Sequence, residues 1–365
     1  MASIIAEFEI PFWQYLDNTG VLSGDTPPFY RDTARLLALY RVMVLTRLFD
    51  AKAIALQRTG KLGTYPSIRG QEAVFAGIGE AMAPDDVFVP YYRDVGVLIQ
   101  RGATLTDILL YWGGDERGNL YAGPHNFPYC VPIGSQLPQA AGIATALKIQ
   151  GKRNAVLAVC GDGATSEGDF YEALNVAGIW SLPIVFVINN NQWAISVPRS
   201  AQTAAKTLAQ KAIAAGILGE QVDGNDVVAV AARVREALSV AREKCEPRLI
   251  EMTCYRHGDH TTADDASRYE TAGIRAAEWE KEPVARLKRC LERMGVFSPE
   301  QEAALQAECS VEVEAAVAKY LSMAPEPLSA LFDYLYATLP AEIIEQRDAF
   351  LAGVNSKERS EQTHG

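Results

Sequence analysis

Two short apolar runs, residues 155–160 and 184–188, are continuous rather than alternating. Runs of that length without a polar face read as strands of a parallel sheet buried on both sides. The stretch between them has helical character, so the unit is strand, helix, strand. Both strands then end at one sheet edge, where open α/β sheets hold ligands. The first delivers Asp162 in the turn Gly161-Asp162-Gly163, and the second delivers Asn189-Asn190-Asn191. Further strands are expected at Val87-Phe88-Val89-Pro90 and at 249–254.

Helical periodicity accounts for most of the rest. Asp32 or Thr33 can cap a long helix that stops at Gly60, with Leu37, Tyr40, Val44 and Leu48 on one face and Leu36, Leu39 and Met43 widening it. Other helices are expected at 71–82, from Thr106 to Gly113, at 140–150 (rich in small residues that allow close packing, as at a subunit interface), at 203–216, and from an Asp226 cap to Lys244. Charged helices follow at 278–293, interrupted by Pro283, and at 300–320. The fold class is α/β, a parallel sheet flanked by helices. Residues 1–30 read as an N-terminal arm outside the core, with a hairpin-like turn among Pro11, Gly20, Gly24 and Pro27-Pro28. The α/β domain is expected over 31–270, a C-terminal helical region packed on it over 271–350, and a disordered tail over 351–365.

Composition narrows the setting. The chain has 365 residues, 48% hydrophobic and 22% charged, enough for one large domain or two smaller ones. A net charge of −11 argues against nucleic acid as a partner. The six cysteines form no C-x-x-C pair and read as reduced thiols. Residues 1–9 carry no basic region, so they are neither a secretory signal nor a transit peptide. No run reaches the roughly 18 apolar residues of a membrane span. The expected location is cytoplasmic, away from any membrane.

Asp162 and Asn191 offer hard oxygen ligands. Magnesium takes about six oxygens and commonly leans on one or two carboxylates plus phosphate oxygens. Gly161 and Gly163 let backbone approach a phosphate, and Ser166 can cap the following helix, whose N–H groups favour an anion. Gly-Asp-Gly alone also fits a plain strand-to-helix turn; the Asn run at the end of the next strand separates the two readings. Arg93 is suited to bidentate phosphate binding, with Tyr92 as a further donor, although an Arg paired to Asp94 is the simpler alternative. Glu72 reads as structural, since nothing nearby marks it as an acid or base. His125 lies alone in a polar loop and is left out of the chemistry. No G-x-G-x-x-G or Walker A pattern is present, which argues against a magnesium-dependent nucleotide module.

Gly161-Asp162-Gly163, 26 residues and then Asn190-Asn191 resembles the thiamine diphosphate motif. With Gly70-Gln71-Glu72-Ala73, Tyr91-Tyr92-Arg93-Asp94, Ile133-Gly134-Ser135-Gln136 and Tyr255-Arg256-His257-Gly258-Asp259-His260, the chain resembles the alpha subunits of thiamine diphosphate-dependent 2-oxoacid dehydrogenases, closest to the bacterial pyruvate dehydrogenase type. The resemblance runs from about Pro11 to Pro340. It implies cofactor contacts from Tyr92, Arg93, Ile133, Gly161, Asp162, Gly163, Ala164, Asn191, Arg256 and His260. It also implies magnesium ligands Asp162, Asn191 and the backbone oxygen of Trp193, and an apolar support at Ile195 under a bent cofactor. His260 is the implied catalytic residue, a donor to the diphosphate or to a substrate oxyanion; His257 is its rival. The implied reaction is oxidative decarboxylation of pyruvate with acetyl transfer to a lipoyl group, or the equivalent for branched-chain 2-oxoacids or acetoin. One diphosphate-binding half needs a second chain, so the implied assembly is an α2β2 heterotetramer with a beta subunit, docked on a lipoyl-bearing acyltransferase core. A scaffold subunit without catalysis is the remaining alternative.

Overall fold

The computed structural model describes residues 2–121 and 123–362, with side chains described as far as 354. The chain divides into two compact units, Met1–Tyr320 and Leu321–Gly365. The first holds a six-stranded parallel sheet. Its strands are β1 (Phe12–Trp13), β2 (Val87–Val89), β3 (Val156–Gly161), β4 (Ile184–Asn190), β7 (Leu218–Asp223) and β8 (Arg248–Thr253), in the order β1-β7-β8-β4-β3-β2. A small antiparallel pair, β5 (Trp193–Ala194) and β6 (Val197–Pro198), follows β4. The parallel α/β class expected from the two apolar runs is what the structure shows.

The helices of this unit are α1 (Thr33–Arg58), α2 (Glu72–Ala81), α3 (Val95–Gln100), α4 (Leu105–Trp112), α5 (Gln136–Ile149), α6 (Gly168–Ile179), α7 (Arg199–Gln202), α8 (Lys211–Ala214), α9 (Val227–Lys244), α10 (Ala272–Trp279), α11 (Pro283–Arg293) and α12 (Pro299–Ser322), the last running just past the unit's end at Tyr320. Side chains alternate across a strand, and here both faces are covered. Leu157, Val159, Val185 and Val187 enter the core shared with α1, α2 and α9. Val156, Ala158, Cys160, Ile184 and Phe186 enter the opposite core, with α5 and α6. That is why the runs are continuous rather than alternating.

Several local expectations change. Residues 11–30 are not outside the core: β1 adds to β7 as the sixth strand, the Leu16–Leu22 bridge closes the turn, and Leu16 is fully buried. Asp226 is the reason. Its Oδ1 caps α9 through Val228 and Ala229, while its Oδ2 accepts the Tyr15 and Leu16 amides at 2.6 and 2.7 Å. Buried Arg286 adds bonds to the Leu16 carbonyl and to Asp223. The helix expected at 203–216 is reduced to the single turn α8, because the Glu251 carboxylate captures the Leu208 and Ala209 amides that a helix would use. Pro283 starts α11 rather than interrupting a helix, since its missing N–H costs nothing at the first position. Thr104, not Thr106, begins α4, through a capping box with Asp107. Ser166 does not cap α6; it lies in the tight turn Gly163–Ser166, and Glu167 takes the cap position with no side-chain bond.

The compact unit also extends past residue 270 to Tyr320, so α10 and α11 belong to it. In the second unit α13 (Ala330–Asp333) and α14 (Ala341–Gln362) form, and α14 runs through most of the stretch expected to lack structure from residue 351; residues 363–365 lie outside the described residues. At the β2 edge the loop after residue 122 pairs with Phe88, whose amide donates to the His125 carbonyl and whose carbonyl accepts from Phe127.

Asp226→Ala strands four buried amides at once. We expect a loss of about 3–5 kcal/mol in urea-induced unfolding, from a lost cap and unpaired donors, and faster proteolysis within residues 11–24. A loss under about 1 kcal/mol, the scale of one ordinary hydrogen bond, contradicts this account.

Candidate active site

The strand register decides where the chemistry meets. Gly161 pairs with Asn189, and Asn190 pairs with Thr253, so β3, β4 and β8 end level with one another. A cavity of about 480 Å³ opens at this carboxyl edge. Tyr92 and Arg93 reach it from the end of β2, Ile133 from the loop before α5, and Gly161, Asp162, Gly163 and Ala164 from the turn after β3. Asn191, Trp193 and Ile195 enter beyond β4, and His260 beyond β8. Arg256 alone among the expected site residues is not part of the wall; it stands behind His260, with Nη1 3.5 Å from Nδ1.

Arg93 and Arg256 are each only 1% exposed. Among the described residues neither forms an ion pair. Arg93 donates to the Ser67 and His260 carbonyls, and its Nη2 lies 3.0 Å from His260 Nδ1. Arg256 donates to the Gly258 and Ile195 carbonyls and to the Tyr269 hydroxyl. The Arg93–Asp94 pair is not formed; Asp94 instead accepts the Tyr91 amide at 2.8 Å. A buried guanidinium without a carboxylate is costly, so two around one cavity prepare it for a polyanion. A guanidinium can only donate, which makes His260 Nδ1 an acceptor and places the ring proton on Nε2. Burial, then Arg93 and Arg256, push the His260 pKa down to about 3. At neutral pH it is therefore a neutral donor rather than the near-neutral acid its residue type suggests.

Asp162 is buried, which raises its pKa, while Gln202, Arg256 and Arg93 pull it back; Gln202 Nε2 donates to its Oδ2 at 2.8 Å. Asn191 accepts the Trp193 amide on Oδ1 at 3.2 Å, leaving that oxygen a second lone pair. Among the described residues no group of three or more His, Cys, Asp or Glu could hold a metal ion. One carboxylate and one carboxamide at a common edge instead suit a cation shared with phosphate oxygens. Gly163 is required by packing, since a Cβ there would stand 2.8 Å from the Ala194 Cβ; at Gly161 the nearest atom would be 3.8 Å away, so its small size simply leaves the cavity open. Ile195 holds a left-handed backbone at φ 55°, strained for a β-branched residue, and Arg256 grips its carbonyl at 2.9 Å. Half-exposed, Ile195 forms an apolar wall of the cavity.

A family model described as the dehydrogenase E1 component matches residues 40–327. The chain belongs to the dehydrogenase E1 component family. Similar relatives are the pyruvate dehydrogenase E1 component subunit alpha of Staphylococcus aureus (strain Mu50) and that of Staphylococcus epidermidis (strain RP62A), each 40% identical over 341 residues that span 92% of either chain. The E1 match encloses every residue expected at the site.

The same structure separates bystanders from the residues of the cavity. Glu72 is buried away from the cavity, paired to Arg47 at 2.8 Å and accepting the Gly70 amide. His257 lines a different cavity and stacks on Trp279 at 4.1 Å. His125 serves through its carbonyl. Sequence reasoning missed Gln202 and Glu167, which no motif marks, and Gln71, which lay inside a quoted motif without a role.

In the cofactor-free protein, we expect ¹⁵N chemical shifts of His260 to report the Nε2–H tautomer, unchanged from pH 8 to pH 5. A ring whose folded pKa is depressed below its unfolded value of about 6.5 lowers stability as pH falls beneath that value. The folded form declines a proton that the unfolded chain accepts. A ring that titrates near pH 6.5 contradicts the assignment.

Proposed function

We propose that this chain is the alpha subunit of a pyruvate dehydrogenase that decarboxylates pyruvate oxidatively with thiamine diphosphate. The acetyl group passes to a lipoyl group of an acyltransferase core. The observation that carries the reading is a pair of buried guanidiniums without carboxylate partners, Arg93 in the wall of the cavity that Asp162 and Asn191 line and Arg256 directly behind His260. Positive charge without a carboxylate would suit a diphosphate, and the oxygen pair would suit a divalent cation such as magnesium.

In this reading Asp162, Asn191 and the Trp193 carbonyl hold Mg²⁺. Arg93, Arg256, Tyr92 and the turn Gly161–Ala164 bind the diphosphate. Ile133 and Ile195 offer apolar surface to the rings. The bound cofactor supplies the carbon chemistry, and the protein supplies binding, orientation and electrostatics. His260 presents Nε2–H toward the diphosphate or toward a substrate oxyanion, where a neutral donor adds hydrogen bonding without adding charge.

Of the carboxylates lining the cavity, Asp162 is committed to the metal and Glu167 is exposed at α6. The carboxylate needed beside the aminopyrimidine therefore comes from a beta subunit, in an α2β2 assembly in the cytoplasm.

The test is to purify the chain alone and with its beta partner and to follow pyruvate-dependent dye reduction. Only the complex is expected to turn over, and full activity from the lone chain would end the proposal. Pyruvate is expected to show a higher kcat/KM than branched-chain 2-oxoacids or acetoin; the reverse order reassigns the substrate. Asp162→Ala is expected to abolish magnesium-dependent cofactor binding measured by calorimetry, with the complex still assembling. Retained binding contradicts the metal assignment.

A further inference from the structure

We infer that Gln71, acting with the Trp193 amide, holds the end of the Asn191 carboxamide that faces the metal, and so tunes metal affinity without touching the ion. The inference rests on the metal role proposed above for Asn191. An asparagine can serve a cation only through Oδ1; turned over, it offers an N–H₂ that repels the ion.

The orientation follows from a backbone group that has no choice. The Trp193 amide can only donate, and it points at Asn191 from 3.2 Å, so the facing atom is Oδ1. Nδ2 then faces Gln71, whose Oε1 accepts it at 2.9 Å. The same Oε1 accepts Asn189 Nδ2, also at 2.9 Å, and Asn189 is held in its own orientation by Cys254 and Tyr91. Asn189 lies in β4 and Asn191 just past its end, and both direct Nδ2 to the one Gln71 oxygen.

Gln71 is fully buried, and its Nε2 has no hydrogen-bond partner among the described residues. A buried unpaired amide is costly. It persists here because turning Gln71 over would set its N–H₂ against two other N–H₂ groups. Gln71 does not line the cavity. It is thus a positioning residue, and its contribution is to keep the weaker of the two side-chain ligands from rotating.

The test uses the assembled complex with Mn²⁺ as the probe in the presence of thiamine diphosphate, with free Mn²⁺ read by electron paramagnetic resonance. Gln71→Met removes the acceptor at similar volume and is expected to weaken Mn²⁺ binding by about 10–100-fold, the range seen when a partner that orients a metal ligand is lost. The decisive comparison repeats the change on an Asn191→Asp background. A carboxylate has two equivalent oxygens and needs no orientation, so there Gln71→Met is expected to change Mn²⁺ affinity by no more than about twofold.

An equal penalty on both backgrounds, or none on the Asn191 background, overturns the inference. If Gln71→Met does not fold, Gln71→Ser, which cannot reach Asn191, gives the same comparison. Should Asp162→Ala leave Mn²⁺ binding intact, the metal site itself is misplaced. Should Asp162→Ala abolish binding while Gln71→Met does nothing, only the role of Gln71 fails.

Discussion

The parallel register of β3, β4 and β8 is the constraint from which the site follows. With Gly161 level with Asn189 and Asn190 level with Thr253, three segments leave the sheet at one height. Asp162, Asn191 and Arg256 then need no long excursions to converge. A slip of one residue in any of these strands would turn its side chains to the opposite core and move its functional residue away from the edge. The two cores lock that register. Leu157 and Val159 pack in one core, Val156 and Ala158 in the other. Catalytic geometry and hydrophobic packing are thus set by the same hydrogen-bonded ladder.

Charge is arranged on top of that frame in an unbalanced way. Elsewhere in the molecule buried Arg286 meets Asp223, and half-buried Arg47 meets buried Glu72. Around the cavity Arg93 and Arg256 are held by carbonyls and a phenol instead. Carbonyl oxygens satisfy N–H donors without cancelling the charge, so the local field stays positive in a chain of net charge −11. His260 lies between the two guanidiniums and yields its own proton chemistry to them, becoming a fixed donor. The strained backbone of Ile195 is tied to the same cluster through Arg256, so the apolar wall and the two guanidiniums are held together.

Much of this was legible in the sequence because it depends on local pattern. Continuous apolar runs report strands covered on both faces, and Asp162 and Asn191 follow from where such strands end. The Asp226 cap was legible for the same reason; its second pair of bonds, to Tyr15 and Leu16, was not, because they join residues more than 200 positions apart. The 203–216 helix was misread because Glu251 competes for its amides from a distant strand. The protonation state of His260 was not legible because a pKa is set by neighbours in space, and Arg93 is 167 residues away. Gln71 sat in a recognisable motif, but its role depends on two asparagines that only folding brings to it.

The sheet has little free edge. At one side β1 contributes two residues, and at the other the loop after residue 122 already pairs with Phe88 on β2. Unpaired strand edges are the usual template on which another chain adds a strand. With one rim that short and the other paired at Phe88, the described residues leave only brief stretches of ladder, such as Leu218–Glu220 of β7, which β1 does not cover. Recognition of a neighbouring subunit then falls mainly to helix surfaces and loops, where side-chain identity, not main-chain hydrogen bonding, selects the partner.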